Sequence, residues 1–508
     1  MSRVLVILAL AIIFYMVLGS TEIITSDNGD IVPLYDKTRR IIPNTLPWYP
    51  ILVFGDNRPE NTGSAKYNPV FYRMIREFDE IYPIAVIGSG DHVGIGYEYQ
   101  YVELYKVFNE TRLENIWLAI GNHDVDVSEG WDNWAKYIGP EYYYIDDIPG
   151  WRIGIVNTET RLTMYWERQL RSMYENISNR SLVLVFHRPV YPDLDHNIRS
   201  DWIPITLNIF RELGFPKIVL QGHWHGWAYE VRYNTTWIVT GGAGAPLYTY
   251  EVPQPENGEV VIGVYHYTVL ILYPNQTFRF YPVSILNGTL SVNKINDTAY
   301  LVTNTKLDVH GNPVEIPVRI KYEYNNYDVY VALMATPMEN TIVVFKPLNE
   351  THLLITCNST DWYAYAYNTM DPDNSPVYIP RDNTTIVDLS QLLQLQTTTQ
   401  TPQTTVSIPP STTTTTATTT PTTRISYTTT TQTTKTTTPT TIPTTTSPTR
   451  TETTPTTSTP ISIAKSETTE EHETKEYEGI SINPYILAGS VFLIIAIGTI
   501  VWYYFVRK

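Results

Sequence analysis

Residues 116–124 read IWLAIGNHD, a short continuous apolar run that ends in a glycine, an amide, an imidazole and a carboxylate. Four other runs end in a similar way: ILVF (51–54) before Gly55-Asp56, IAVIG (84–88) leading to Gly90-Asp91, LVLVF (182–186) before His187, and IVL (218–220) leading to Gly222-His223. Continuous apolar strands of this kind are buried on both faces, as in the interior of an α/β protein. Helical patterns lie between them, for example at 68–81 and 164–177. The sequence therefore predicts an α/β fold with polar groups at the carboxyl ends of its strands, where such sheets bind ligands.

The polar groups after these strands are oxygen donors and imidazoles, with no thiolate among them. That set of donors suits Zn, Mn or Fe. One carboxylate between two groups of ligands can bridge a pair of ions about 3.5–4 Å apart, the spacing used in phosphoryl chemistry. The His223-Trp224-His225 triplet can give one imidazole to each ion. These residue types can therefore hold a pair of metal ions.

The ordered motifs resemble those of the calcineurin-like metallophosphoesterases, a family that includes the purple acid phosphatases. The motifs are FGDNR (54–58), SGDHV (89–93), IGNHDV (120–125), VFHRPVY (185–191) and QGHWHG (221–226), followed by GGAGAPLY (241–248). The resemblance covers about residues 50–250, and GNHD together with GHxH is its most specific part. It implies a sandwich of mixed β-sheets flanked by helices, which we assign to residues 46–286.

The resemblance also implies a role for each matched residue. It implies six metal ligands: Asp56 and His225 on the first ion, Asp91 bridging both ions, and Asn122, His187 and His223 on the second. His123 is not a ligand in the family and would lie near the leaving-group oxygen, where it stabilises charge or donates a proton. Asp124 would orient the His123 imidazole, as carboxylates behind a site commonly do.

One position departs from the family pattern. The first motif usually contains a histidine ligand where this chain has Arg58, and the tyrosine that compensates in purple acid phosphatases is replaced by Gly94. Arginine is always protonated and cannot bind a metal. Three alternatives remain: a first ion with fewer protein ligands and more water, His92 as a substitute ligand, or a single tightly bound ion. We favour the first, with Arg58 binding a phosphate oxygen through its planar guanidinium.

These residues predict a metal-dependent hydrolase of phosphate monoesters or diesters, in which a metal-bound hydroxide attacks phosphorus and His123 assists the departing alkoxide. The partner is then a small phosphorylated substrate. The formal net charge of −16 argues against a nucleic-acid scaffold, since proteins that follow phosphate backbones are usually basic. The alternative is a non-catalytic surface binding or adhesion module on a degenerate phosphoesterase fold. Arg58 favours that alternative, whereas the retention of His123 argues against it.

The second half of the chain has a different pattern. Residues 287–392 contain alternating or β-branched runs such as IPVRIKYEY (316–324) and YDVYVALMA (327–335). They predict a small all-β accessory domain without a catalytic constellation. Residues 397–466 are mostly Thr, Ser and Pro, a composition that cannot bury enough apolar surface to fold and is typical of a disordered, mucin-like stalk.

Both ends of the chain carry apolar segments. Residues 1–20 have the length and pattern of a signal peptide, with an uncleaved anchor as the alternative. Residues 485–506 are long enough for a transmembrane helix, and Arg507 and Lys508 after it place the C-terminus in the cytoplasm. We therefore expect a single-pass protein of the cell membrane whose catalytic domain is extracellular.

An exported domain is expected to carry N-linked glycans. The sequence has ten acceptor motifs, at Asn109, Asn176, Asn179, Asn234, Asn275, Asn287, Asn296, Asn349, Asn358 and Asn383. Cys357 is the only cysteine of the chain, so no disulfide can form within it. Packing must supply the stability of the ectodomain.

Overall fold

A computed structural model describes residues 30–350 and 352–370, together with the backbone of 377–379 and 385–388. The predicted signal peptide (1–20), stalk (397–466) and transmembrane helix (485–506) lie outside the described residues. Among the helices that the structure does describe, none has the length and apolar character needed to cross a membrane.

The helices of the described part are short and lie between the strands. Their bounds are α1 Leu34–Lys37, α2 Pro69–Ile81, α3 Glu98–Asn109, α4 Gly130–Tyr137, α5 Thr163–Ser172 and α6 Trp202–Leu213, with a single 3₁₀ turn at His123–Val125. Helix α2 shows why they form where they do: the Asn68 side chain accepts a hydrogen bond from the Val70 amide, Pro69 opens the first turn, and Tyr82 closes the helix in a left-handed conformation. It begins and ends where the 68–81 pattern predicts.

The first twelve strands form two mixed sheets. Their bounds are β1 Tyr49–Phe54, β2 Ala85–Gly88, β3 Ile116–Leu118, β4 Tyr143–Ile145, β5 Trp151–Ile155, β6 Ser181–Val185, β7 Ile218–Gln221, β8 Trp227–Arg232, β9 Thr235–Thr240, β10 Gly258–Val261, β11 His266–Leu272 and β12 Phe278–Ser284. One sheet has the order β12-β11-β1-β2-β3 and the other β10-β8-β9-β7-β6-β5-β4. Within them, β1, β2 and β3 run parallel, as do β5, β6, β7 and β9. The predicted mixed α/β fold is confirmed.

Strand β5 is absent from the five apolar runs because a charged residue, Arg152, is the second of its five residues. Arg152 is buried there and binds both carboxylate oxygens of Asp146, at 2.8 and 2.6 Å. It also donates to the carbonyls of Met173 and Glu175. A fully paired guanidinium can therefore lie inside a buried strand.

The remaining strands form two antiparallel sheets. Their bounds are β13 Leu290–Asn296, β14 Ala299–Asn304, β15 Ile316–Tyr324, β16 Tyr327–Ala335, β17 Asn340–Pro347, β18 His352–Cys357, β19 Trp362–Asn368, β20 Val377–Ile379 and β21 Thr385–Asp388. The orders are β13-β14-β17-β18-β21 and β15-β16-β19-β20. Strand β15 is fixed to the first sheet's loops because buried Arg319 donates to the Tyr82 and Pro83 carbonyls and to Glu114. The boundaries 287 and 392 stay predictions.

Candidate metal centre

The two mixed sheets bring different ligand types to one place. Asp56, Asp91 and Asn122 follow β1, β2 and β3 of the first sheet, and the three imidazoles follow β6 and β7 of the second. Because the parallel strands of each sheet point the same way, their carboxyl ends meet at one edge. All six residues that the family resemblance implies as ligands therefore lie on loops at that edge.

Two overlapping groups of side chains could hold metal ions. One is Asp91, His187 and His223, and the other is Asp56, Asp91 and His225; in each, the ligand atoms lie within 4.8 Å of one another. Asp91 belongs to both groups, as a bridging carboxylate must. Asn122 lies beside the first group, with its Oδ1 3.2 Å from His187 Nε2.

The histidine rings are held in the orientation that a metal requires. His187 Nδ1 donates to the Ser89 carbonyl at 3.0 Å, and His225 Nδ1 donates to the Pro246 carbonyl at 2.6 Å. A carbonyl oxygen can only accept, so each Nδ1 carries a proton, and Nε2 is the ring nitrogen that faces a carboxylate. Those Nε2 atoms lie 3.3 Å from Asp91 Oδ1 and Asp56 Oδ1, respectively. Such backbone contacts fix the tautomer of a ligating histidine.

Two further observations fit a metal. Asp56, Asp91 and His223 have φ values of 56°, 55° and 66°, the left-handed region that residues other than glycine rarely adopt. Backbone strain of this kind collects at functional sites, where surrounding contacts maintain it. In addition, Asp56 Oδ1 is buried without a hydrogen-bond donor. A buried anionic oxygen with no donor is costly unless a cation lies against it.

The charges of this cluster are strongly interdependent. Burial acts to raise the pKa of Asp91, but His187, with smaller contributions from His123 and His223, holds that pKa well below its usual range. Burial acts to lower the pKa of His187, yet Asp91 raises it to about 9. Burial, His187 and Arg188 together lower the pKa of His223 to about 2. The cluster therefore stabilises positive charge around Asp91 while keeping His223 neutral.

The two positions that depart from the family pattern, Arg58 and Gly94, both lie next to the loop that contains Thr62. The Arg58 amide donates to the Asp91 carbonyl, and its Nε lies 3.7 Å from Asp91 Oδ2 without a hydrogen-bond partner. A Cβ at Gly94 would lie 2.0 Å from the Thr62 carbonyl oxygen of the loop that follows Arg58. A tyrosine at 94 is therefore excluded unless that loop moves.

His123 faces the Asp91 carboxylate, and its ring is oriented by a backbone group. Its Nε2 lies 3.9 Å from Asp91 Oδ2, while its Nδ1 donates to the Gly94 carbonyl at 2.7 Å. The expectation that Asp124 orients this ring is wrong. The Asp124 carboxylate is buried and accepts hydrogen bonds from four backbone amides, those of Gly121, Asp91, His92 and Val93. These four hydrogen bonds hold the turn at Gly121 and the turn at Asp91 together.

His92 is not placed as a substitute ligand. Its Nδ1 contacts Asn57 Oδ1 at 2.7 Å, and its ring packs against Phe54 and Trp134 in the core. Its Nε2 is buried without a partner and points at the Gly88 backbone, where a Cβ would lie 2.8 Å away. In the described part of the chain, His92 belongs to neither metal group.

The structure also brings residues to the site that carried no functional assignment from the sequence. The His196 ring lies 5.7 Å from the His223 ring and 4.8 Å from the Tyr248 ring, and Tyr248 stacks on His225 at 4.6 Å. Arg188 donates to His223 Nε2 at 2.9 Å and is paired with Glu159. Arg188 and Tyr248 could have been found from the sequence, because Arg188 lies inside the motif VFHRPVY and Tyr248 ends the motif GGAGAPLY.

The chain matches no protein-family model and no curated protein. Among solved structures, it is similar to GAP50, the anchor in the inner membrane complex of Plasmodium, with a TM-score of 0.40 and 10% identity over 47% of this chain and 86% of that one. It is also similar to the purple acid phosphatase PPD1 from yellow lupin seeds, with a TM-score of 0.35 and 14% identity over 53% of this chain and 52% of that one. A dimetal phosphatase from Danio rerio gives a TM-score of 0.33 and 11% identity over 47% of this chain and 100% of that one.

Two of these three structures are named as phosphatases. The chain spans about half the length of the lupin phosphatase. Because the sequence identities are this low, the function proposed below is argued from the side chains of this chain alone.

Proposed function

We propose that this protein is a metal-dependent phosphoesterase that hydrolyses a monoester or diester of phosphoric acid. The observation that carries the proposal is the pair of ligand groups that share Asp91, with Nε2 of His187 and of His225 each 3.3 Å from a carboxylate oxygen. Asp56, Asp91 and His223 hold these positions in left-handed backbone conformations, which collect at functional sites. Bound there, two ions would lower the pKa of water and neutralise charge on a phosphoryl group.

The other residues of the site have roles that follow from their positions. His123 Nε2 faces the site while its Nδ1 proton is engaged by Gly94, so Nε2 is the atom that would exchange a proton with the leaving group. The Arg58 guanidinium, on a side chain that is 12% exposed, would donate to a phosphate oxygen. His196 and Tyr248, at the rim, would limit the size of what enters.

Paired assays on a generic monoester and a generic diester, with Fe, Zn or Mn supplied, test this proposal. Asp91→Asn should abolish turnover, because its removal disturbs both ligand groups. Asp126→Asn is the matched control, since Asp126 is exposed on the same loop as His123. Full turnover by Asp91→Asn would refute a shared carboxylate.

The second candidate is a non-catalytic binding module, and Arg58 is the observation that favours it. Its guanidinium Nε is 3.7 Å from Asp91 Oδ2 and partly neutralises the carboxylate that would bridge the ions. If the wild type hydrolyses nothing with any of the three metals and Arg58→His gains activity, the binding module is correct. An active wild type whose KM rises in Arg58→Ala identifies Arg58 as a phosphate-binding residue.

We further propose that the catalytic part is displayed outside the cell on a glycosylated stalk and anchored by residues 485–506. The support is sequence pattern alone: the apolar terminal segments, the Thr-rich tract and the ten acceptor motifs. N-glycosidase treatment of intact cells that express the full chain tests it. A shift to lower apparent mass is expected, and a chain that is protected until the cells are opened would contradict the proposed orientation.

A further inference from the structure

A cavity of about 720 Å³ lies at the junction between the mixed sheets and the second pair of sheets. Its walls include the end of α1 and the residues after it, the end of α3, and parts of strands β15, β16 and β19. Sites for small ligands typically enclose about 300–1,000 Å³ and often lie where two domains meet. The described residues that line this cavity include none of the six ligand-type residues of the metal centre. The cavity is therefore a candidate for a second binding site.

The cavity has a basic lining in a chain whose formal net charge is −16. The charged side chains that line it are Lys37, Arg40, Arg112, Lys321, Glu114 and Asp328. The two acidic side chains are already paired within the protein. Glu114 lies 2.7 Å from the guanidinium of the buried Arg319. Asp328 lies 3.0 Å from the ammonium of Lys321. The charge that the cavity can still accept is therefore negative.

Lys37 and Arg40 carry two of the positive charges, and neither forms an ion pair with a carboxylate of the described residues. The Lys37 ammonium lies 5.2 Å from the centroid of the Tyr105 ring. Arg40 Nη1 donates to the Arg39 carbonyl at 2.8 Å. Burial lowers the pKa of Lys37. An anion beside the ammonium would act in the opposite direction, because a neighbouring opposite charge favours the charged form.

Arg112 supplies a third cation, whose position is fixed by its neighbours. Its Nε and Nη2 donate to the Asp79 carbonyl at 3.0 and 2.7 Å. The guanidinium also lies over the Tyr82 ring, 4.8 Å from the ring centroid. These contacts leave Nη1 to donate to a ligand. A guanidinium binds the oxygens of a carboxylate or a phosphate through directed hydrogen bonds.

The segment of chain that carries Arg40 is also held in place. The Arg40 amide donates to Asn115 Oδ1 at 3.0 Å, and the Asn115 amide donates to the Thr38 carbonyl at 2.8 Å. From the wall formed by β19, the Tyr367 hydroxyl donates to the Ile41 carbonyl at 2.6 Å. The lining is therefore organised before a ligand arrives, which reduces the entropy cost of binding.

We propose that this cavity binds an organic oxyanion, a carboxylate or a phosphate compound, whose charged oxygens are held by Lys37, Arg40 and Arg112. The volume is larger than an inorganic ion would fill, and apolar side chains in the lining, such as Phe108 and Leu113, suit a carbon skeleton. The site does not depend on the proposed phosphoesterase function, because it shares none of the residues assigned to that reaction.

The test measures binding to the purified full chain by calorimetry at constant ionic strength. The probes are tricarballylate, glycerol 2-phosphate, inorganic sulfate and glycerol. At least one of the two organic anions should bind more tightly than sulfate, and glycerol should not bind. A preference for tricarballylate indicates a carboxylate ligand, and a preference for glycerol 2-phosphate indicates a phosphate ligand. Equal affinities for sulfate and for both organic anions would overturn the proposal.

Two single substitutions locate the binding. Arg40→Ala should weaken the preferred anion about 10- to 100-fold, the usual effect of losing a hydrogen bond to a charged group. Arg39→Ala is the matched control, because it removes the same charge from the neighbouring exposed residue, which does not line the cavity. Equal losses in the two variants, or no loss in Arg40→Ala, would overturn the proposal.

Two further results separate this site from the metal centre and from a glycan. Asp91→Asn should bind the anion as the wild type does, so that a failure of the proposed phosphoesterase function would leave this site intact. An anion that no longer binds to Asp91→Asn belongs to the metal centre, and the proposal is then wrong. Asn109 lines the cavity and lies in an acceptor motif. The proposal is also wrong if the exported chain carries a glycan on Asn109, seen by peptide mass spectrometry, and does not bind the anion.

Discussion

Asp124→Asn is a direct test of how the two loops of the first sheet hold the site. The Asp124 carboxylate is fully buried, with Oδ2 accepting from the Gly121 and Asp91 amides at 2.8 and 3.1 Å. Its Oδ1 accepts from the His92 and Val93 amides at 2.7 and 2.9 Å. Each oxygen therefore satisfies two backbone donors.

The size of the effect follows from this count. Asparagine has the same shape but offers one acceptor oxygen and one NH₂ donor, so two of the four amides lose their acceptor and face another donor. An unsatisfied buried donor costs about 1–3 kcal/mol, which gives roughly 2–6 kcal/mol for the substitution. That is a large part of the roughly 5–15 kcal/mol that separates a folded domain from its unfolded state. Asp91 should lose its position at the same time.

Unfolding monitored by tryptophan fluorescence, with metal content measured in parallel, provides the assay. Asp124→Asn should unfold more easily and bind less metal than the wild type, whereas Asp126→Asn, on the exposed side of the same loop, should match it. Equal stability of the two variants would refute the structural role. Lower turnover with unchanged stability and metal content would instead restore Asp124 as the group that orients His123.

Three further substitutions test separate parts of the account. His123→Ala should lower turnover by about 10²–10⁴-fold with metal content unchanged, the usual range for a positioned proton donor, as measured by steady-state kinetics and elemental analysis. Gly94→Ala should lower turnover as well, because the new Cβ meets the Thr62 carbonyl at 2.0 Å and displaces the carbonyl that orients His123. Lys306→Met should destabilise the fold by about 3–5 kcal/mol in chemical denaturation, because it leaves buried Glu77 without its partner at 2.8 Å. Burial raises the pKa of Glu77, and a group with a raised pKa stabilises the fold in its protonated form, so the loss should be larger at alkaline than at acid pH.

Each of these three predictions has an outcome that would contradict it. A loss of metal in His123→Ala would make that residue a ligand. Gly63→Ala, where a Cβ meets only the Asn61 side chain at 3.5 Å, should be silent, and equal effects of Gly63→Ala and Gly94→Ala would contradict the close contact. A Lys306→Met protein that is equally stable at both pH values would show that Glu77 does not titrate with unfolding.

The sequence predicts those parts of the fold in which local pattern and burial agree. Strand β1 and helix α2 lie where an unbroken apolar run and a 3.6-residue repeat predict them. Strand β5 could not be recognised, because a buried strand that contains a charged residue resembles a surface strand until the partner is known. Asp146, which pairs with Arg152, precedes it by six residues, and nothing local shows that the two side chains meet.

At the site, the motifs predict the residues but not the contacts between them. Asp56 lies against His225 because two different sheets meet at one edge. The order of the motifs does not show that meeting by itself; only the family resemblance implies it. The role of Asp124 was misassigned because adjacency to His123 in sequence suggests a contact, whereas the 3₁₀ turn directs the carboxylate to the Asp91 turn. His196 lies 27 positions from His223, and only the loop after β6 brings the two rings together.

The number of ions bound per chain, measured by equilibrium dialysis with Zn or Mn, tests most directly whether two ligand groups share Asp91. Two ions per wild-type chain are expected, one tightly bound ion in Asp56→Asn, and a severe loss of both in Asp91→Asn, with Asp126→Asn as the unchanged control. If Asp91→Asn binds two ions with the affinity of the wild type, Asp91 is not a shared ligand and the proposed two-metal centre is wrong.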